Sequence, residues 1–120
     1  MAVMALAATL GTCGGPDGGD ERAELEAAVR SYSEAYLGGQ AEAAHSRLSA
    51  RCQARISLAD FRPVVAGGQQ AYGTAKLTSL TIDDLAGDLA RVTYRYDVAA
   101  IDQEREPRVR EGGRWHQDDC

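Results

Sequence analysis

The sequence predicts an α+β domain in which helices come first and an antiparallel sheet follows. Three observations carry this. Through residue 66 the apolar residues recur at intervals of three and four, the period of a helix. After the stretch GGQQAYG at 67–73 they recur at intervals of two, the period of a strand. The chain has 120 residues and 44% hydrophobic content, enough for one compact domain with a core. A run of helices followed by a run of strands packs with the helices on one face of the sheet.

The clearest helix covers 21–37. Leu25, Val29, Tyr32 and Tyr36 share a face, which Ala28 and Ala35 widen, while Glu26, Arg30 and Glu34 lie opposite. Asp20 is the expected N-cap, and Gly38-Gly39 ends the helix. A second helix is expected over 40–52, with Ala41, Ala44, Leu48 and Cys52 on one stripe. A third is expected over 60–66. Asp60 would cap it, Pro63 would fall in its first turn, and Phe61, Val64 and Val65 would pack inward.

The strands follow. KLTSLTID presents Leu80 and Ile82 on one face, and DDLAGD reads as a turn. LARVTYRYDVA alternates, with Ala90, Val92, Tyr94, Tyr96 and Val98 on one side and Arg91, Thr93, Arg95 and Asp97 on the other. For the last hairpin a two-residue Gly112-Gly113 loop would set Arg110 opposite Trp115. A three-residue loop including Glu111 would set Val109 there instead. Pairing apolar with apolar favours the three-residue loop, with Trp115 inward and Arg114 and His116 outward. About four antiparallel strands are expected, with no internal repeat.

Charge excludes one class of partner. The net charge is -5, and the single lysine, Lys76, and scattered arginines form no basic block, so nucleic acid is not expected. No apolar run reaches the roughly 20 residues that span a bilayer. Residues 1–12, MAVMALAATLGT, have the apolar character of the middle of a signal peptide but no positive charge before them. The reading adopted for 1–13 is a signal-peptide remnant whose start lies upstream of Met1. The alternative is an apolar tail on a cytoplasmic protein. GGPDGGD at 14–20 reads as a flexible tether, and the domain is expected over 21–120.

The three cysteines separate by context. Cys13 sits on the tether, poorly placed for a structural bridge. Cys52 lies on an apolar helix stripe, and Cys120 follows a strand. In an oxidising compartment these two are expected to pair, closing most of the domain and adding roughly 4 kcal/mol by loop entropy. In a reducing compartment they would be two free thiols.

LGTC at 10–13 resembles the lipobox of bacterial lipoproteins, which implies diacylglycerol attachment at Cys13, export, and anchoring at the outer face of the cell membrane. Thr12 and the missing basic start depart from that pattern. AVRSYSEAYLGGQAEAAHSRLSARC resembles the opening helices of the nuclear transport factor 2-like superfamily, and EGGRWHQDDC resembles the close of its small exported actinobacterial members. The resemblance covers residues 21–120. It implies a cone-shaped, curved antiparallel sheet packed against three N-terminal helices, a cystatin-like roll, and a bridge between Cys52 and Cys120.

In that superfamily chemistry occurs inside the cone. Tyr32, Tyr36, Phe61, Tyr94, Tyr96 and Trp115 are the candidate lining of a pocket. No catalytic pair maps onto the sequence: Asp60 reads as a cap, Asp97 faces outward, and Asp118-Asp119 follow the last strand. His45 and His116 are expected at the surface with no second ligand at metal-binding spacing, so neither a metal nor another cofactor is expected. There is no phosphate-binding loop and no serine in a nucleophile elbow. The expected function is a non-catalytic module that binds a small apolar or amphipathic ligand, or another envelope protein. The alternatives are a small isomerase, dehydratase or cyclase, or a domain that forms a homodimer through its sheet. An inward carboxylate beside a tyrosine would favour the enzyme.

Overall fold

The computed structural model describes residues 18–120. The expectations for residues 1–17, including lipidation of Cys13, lie outside the described residues. Four helices come first: α1 (Gly18–Leu37), α2 (Ala41–Ser46), α3 (Ala50–Arg55) and α4 (Leu58–Tyr72). Four strands follow, β1 (Leu77–Ala86), β2 (Leu89–Tyr96), β3 (Gln103–Glu111) and β4 (Arg114–Gln117), with a short 3₁₀ turn at Ala99–Ile101. The sheet is antiparallel, in the order β1-β2-β3-β4. The fold is α+β, as the change of period implies.

Helix α1 starts earlier than expected, so Asp20 is not its cap but joins Glu21 in the first turn, where acids suit the helix dipole. Leu25 and Val29 are fully buried against the sheet. Each such side chain contributes about 1.5–3 kcal/mol on leaving water.

The helix expected over 40–52 is two helices. The chain breaks at 47–49 because Ser49 N–H donates to the Gln117 carbonyl at 2.8 Å and Gln117 N–H donates to the Arg47 carbonyl at 2.9 Å. Ser49 then restarts the helix, its hydroxyl accepting from Cys52 N–H at 3.2 Å. The stripe Ala41, Ala44, Leu48 and Cys52 is nevertheless buried as expected.

Helix α4 is much longer than 60–66. Ser57, not Asp60, caps it, its hydroxyl accepting from Asp60 N–H at 3.1 Å. Pro63 lies inside the helix, beyond the first turn. The bond that its ring removes belongs to the Ala59 carbonyl, and both residues are exposed, where solvent can satisfy that group. Phe61 and Val65 are buried, but Val64 is 45% exposed and does not pack inward. The stretch read as the loop GGQQAYG is the helix's second half, up to Gly73.

Strand β1 runs through most of the expected DDLAGD turn, leaving only Gly87 and Asp88 between Ala86 and Leu89. The alternation of β2 holds through Tyr96, but Val98 lies beyond the strand and is exposed. The last hairpin takes the rejected register. Glu111 pairs with Arg114 across Gly112-Gly113, and Arg110, not Val109, faces Trp115. Both glycines have positive φ, 58° and 76°, the geometry of a two-residue hairpin turn. The Arg110 guanidinium lies 5.4 Å from the Trp115 ring centre, so a cation over an aromatic face replaces the expected apolar pair. Trp115 still points inward.

Two hydrophobic clusters result. One joins α2, α3 and α4 to the end of α1 through Ala35, Ala41, Ala44, Leu48, Cys52, Phe61 and Val65. The other joins α1 to the sheet through Leu25, Val29, Ala90, Val92, Tyr94 and Trp115. Cys52 and Cys120 form a disulfide across 68 residues of sequence, tying the helical cluster to the chain beyond β4.

Candidate functional site

A cavity of about 440 Å³ opens between the second half of α1, the end of α4 and the inner face of the sheet. Its size suits a small organic ligand. The walls are aromatic: Tyr32 and Tyr36 from α1, Tyr72 from α4, and Tyr94 and Tyr96 from β2. Helical spacing brings the first pair together at 6.0 Å between ring centres, and alternation on β2 brings the second pair to 5.9 Å. Gly68 makes room on α4. A Cβ there would lie 2.6 Å from Tyr36 Cε1, so only glycine lets the helix approach this ring so closely.

Behind the tyrosines lies a buried polar triangle. Glu106 and Arg108 are inward on β3, with only 4% and 2% of their surface exposed. The Tyr94 hydroxyl donates to Glu106 Oε1 at 2.5 Å. Arg108 Nη2 donates to the same oxygen at 2.6 Å and reaches the Tyr94 hydroxyl oxygen at 3.2 Å. The Arg108 guanidinium lies 5.4 Å from the Tyr32 ring centre and 5.8 Å from that of Tyr94. At the rim the hydroxyls of Ser33 and Tyr96 share a hydrogen bond at 2.5 Å.

This arrangement fixes protonation states. Burial pushes the Tyr94 and Tyr32 phenols well above the ordinary tyrosine range, and the nearby Glu106 charge pushes them in the same direction. Burial raises Tyr36 and Tyr96 as well. Tyr32, Tyr36, Tyr94 and Tyr96 therefore offer neutral phenols at physiological pH. Burial also raises Glu106, with Arg108 and the Tyr94 hydrogen bond pulling the other way.

The residues beyond β4 complete the mouth. Gln117 and Asp119 line the cavity. Asp118 is held on the far side by the Ser49 hydroxyl at 2.6 Å and Arg51 Nε at 3.1 Å. Arg55 Nη1 donates to the Cys120 carbonyl at 3.0 Å, beside the disulfide.

Of the six candidate lining residues, the structure brings Tyr32, Tyr36, Tyr94 and Tyr96 together. Phe61 does not line the cavity. It is buried in the helical cluster, where its ring supports Tyr36 from behind at 6.2 Å. Trp115 belongs to the sheet cluster and borders a different recess, between α1 and β4. His45 is half-buried rather than at the surface, with Nε2 2.7 Å from the Ile56 carbonyl oxygen. No group of His, Cys, Asp or Glu among the described residues is arranged to hold a metal ion.

Sequence reasoning missed Glu106, Arg108, Tyr72 and Asp119. The available signal was the spacing of Glu106 and Arg108, two apart in a strand and so on one face. Charges crowd both faces of the stretch QEREPRVRE, however, and nothing in it singles out the inward pair.

Comparison with known proteins finds no matching family model, no matching curated protein and no matching solved structure.

Proposed function

We propose that this chain is a small-ligand-binding domain of nuclear transport factor 2-like type, exported and held at the outer face of the cell membrane through a lipid on Cys13. One observation carries the binding reading: the tyrosine-walled cavity of about 440 Å³ over the Glu106–Arg108–Tyr94 triangle. Helices ahead of a four-stranded antiparallel sheet agree with the family resemblance. The Cys52–Cys120 disulfide supports an oxidising compartment and hence export. The cavity is more polar at its floor than the sequence implied, so the ligand class is amphipathic rather than purely apolar.

A small enzyme of isomerase, dehydratase or cyclase type is the second reading, favoured by the inward Glu106 beside Tyr94. Binding is preferred because Glu106 Oε1 already accepts from both Tyr94 and Arg108, which weakens it as a base. Dimerisation through the sheet has least support. The outer face is laced with exposed ion pairs, Arg95 with Asp102 and Glu104, and Arg105 with Asp84.

The test is an NMR titration of the full, oxidised chain with 4-phenylbutan-1-ol as a neutral amphipathic probe. Shifts centred on the rings of Tyr32, Tyr36, Tyr94 and Tyr96 are expected. Shifts scattered elsewhere, or none, would sink the binding reading. Intact mass from the native membrane fraction tests the anchor: a chain beginning at Cys13 with a diacylglyceryl group is expected, and an unmodified soluble chain refutes it.

A further inference from the structure

The charge and chemistry of the cavity narrow its ligand, taking the binding reading above as given. The walls carry five tyrosine rings, whose electron-rich faces attract cations. The ionisable groups that line it, apart from the phenols, are two carboxylates, Glu106 and Asp119. No lysine, arginine or histidine is among the described lining residues. The two carboxylates differ in what they can offer. Glu106 is neutralised at the floor by Arg108. Asp119 stands exposed at the mouth. Its backbone N–H donates to Gln117 Oε1 at 2.8 Å, and its carboxylate enters no hydrogen bond or ion pair among the described residues.

The rings divide in the same way. Arg108 already lies against Tyr32 and Tyr94, at the floor. Tyr36, Tyr72 and Tyr96 line the same cavity and have no guanidinium over their rings among the described residues. Arg108, Glu106, Tyr32 and Tyr94 thus already form a cation–aromatic–carboxylate assembly within the protein, with Arg108 Nε left without a hydrogen-bond partner. Tyr36, Tyr72, Tyr96 and Asp119 supply the same aromatic and carboxylate parts without the cation.

We propose that the cavity takes an organic cation, an amine or quaternary ammonium with an apolar body. The charged head lies among Tyr36, Tyr72 and Tyr96 near Asp119, and the apolar body lies along the remaining wall. The net charge of -5 on the chain favours approach of such a ligand and disfavours anions.

The experiment compares three probes on the full, oxidised chain by NMR titration or calorimetry. These are benzyltrimethylammonium, its uncharged carbon isostere neopentylbenzene, and the anion phenylacetate. Benzyltrimethylammonium is expected to bind about tenfold more tightly than the isostere, and phenylacetate not at all. Asp119→Asn is expected to weaken the ammonium probe about threefold and leave the isostere unchanged. Asp119 is exposed, so this variant keeps the fold. Equal binding of cation and isostere overturns the charge assignment and leaves the cavity reading standing. Preference for phenylacetate overturns it as well. If no probe binds, the cation proposal and the binding reading fall together.

Discussion

The two hydrophobic clusters are built on different rules. The helical cluster is apolar throughout: alanines, Leu48, Cys52, Phe61 and Val65, with Ser49 at its edge as a cap. The sheet cluster packs Leu25, Val29 and Val92 beside a buried glutamate and a buried arginine. A dry apolar core is stabilised by packing alone. A core that contains ions is stable only while every partner stays in place, because an unpaired buried charge costs several kcal/mol. The polar core is the one that borders the cavity, so the less forgiving half of the molecule is also its candidate working half.

The sharpest way to break this contrast is Arg108→Met. It leaves Glu106 buried with Tyr94 as its main support, and a loss of about 3–5 kcal/mol is expected in urea unfolding. The loss depends on pH. Burial makes Glu106 bind its proton more tightly in the folded state than in the unfolded one. The contribution from that proton is therefore fully present below the ordinary carboxylate range and is lost as pH rises through the raised folded value. Without Arg108 the rise is larger, so the variant should be more damaged at about pH 7 than at about pH 4. A penalty that does not change with pH would refute the charged-core account.

Next in size is the tie between the two clusters. Replacing Cys52 and Cys120 together by serine should cost about 2–4 kcal/mol, read as a fall in the denaturation midpoint that reducing agent cannot deepen. Val65→Ala probes the helical side. It should cost about 2 kcal/mol with much less pH dependence than Arg108→Met, because the buried members of that cluster carry no charge. The smallest effect is expected from Gly68→Ala. The new methyl would meet the Tyr36 ring, and a loss of about 1 kcal/mol is expected. Its main readout is a shifted Tyr36 ring signal and weaker probe binding.

The same contrast explains what was legible in the sequence. The α1 face from Leu25 to Tyr36 and the alternation of β2 announced themselves, as did the stripe from Ala41 to Cys52, because apolar residues repeat at the period of the element. Four of the five cavity tyrosines followed from the α1 face and β2. The break at 47–49 was hidden because its cause, Gln117, lies far along the chain. The second half of α4 was hidden by Gly67 and Gly68, which read locally as a loop, although Gly68 serves the approach to Tyr36. Glu106 and Arg108 were hidden because polarity normally marks the outside of a strand, and their mutual pairing shows only in three dimensions. The hairpin register failed for the same reason. Apolar pairing was assumed at Trp115, where an arginine sits over the ring.

Strand β3 therefore carries two readable faces. Glu106, Arg108 and Arg110 look toward the helices, while Pro107 and Val109 lie on the other side, with Val109 opposite His116. A slip of one residue would exchange them, sending the ions into water and an apolar side chain inward. Hydrophobicity alone ranks that slipped strand as acceptable. What selects against it is geometric: pairing with β2, where Val92 faces Glu106 and Ala90 faces Arg108, and on the β4 side a turn of only two residues, Gly112 and Gly113, both in left-handed conformations. The turn works as a reading frame. One residue inserted between those glycines would leave the composition of every strand intact, yet shift β4 against β3 into the other phase and turn Trp115 away from the core.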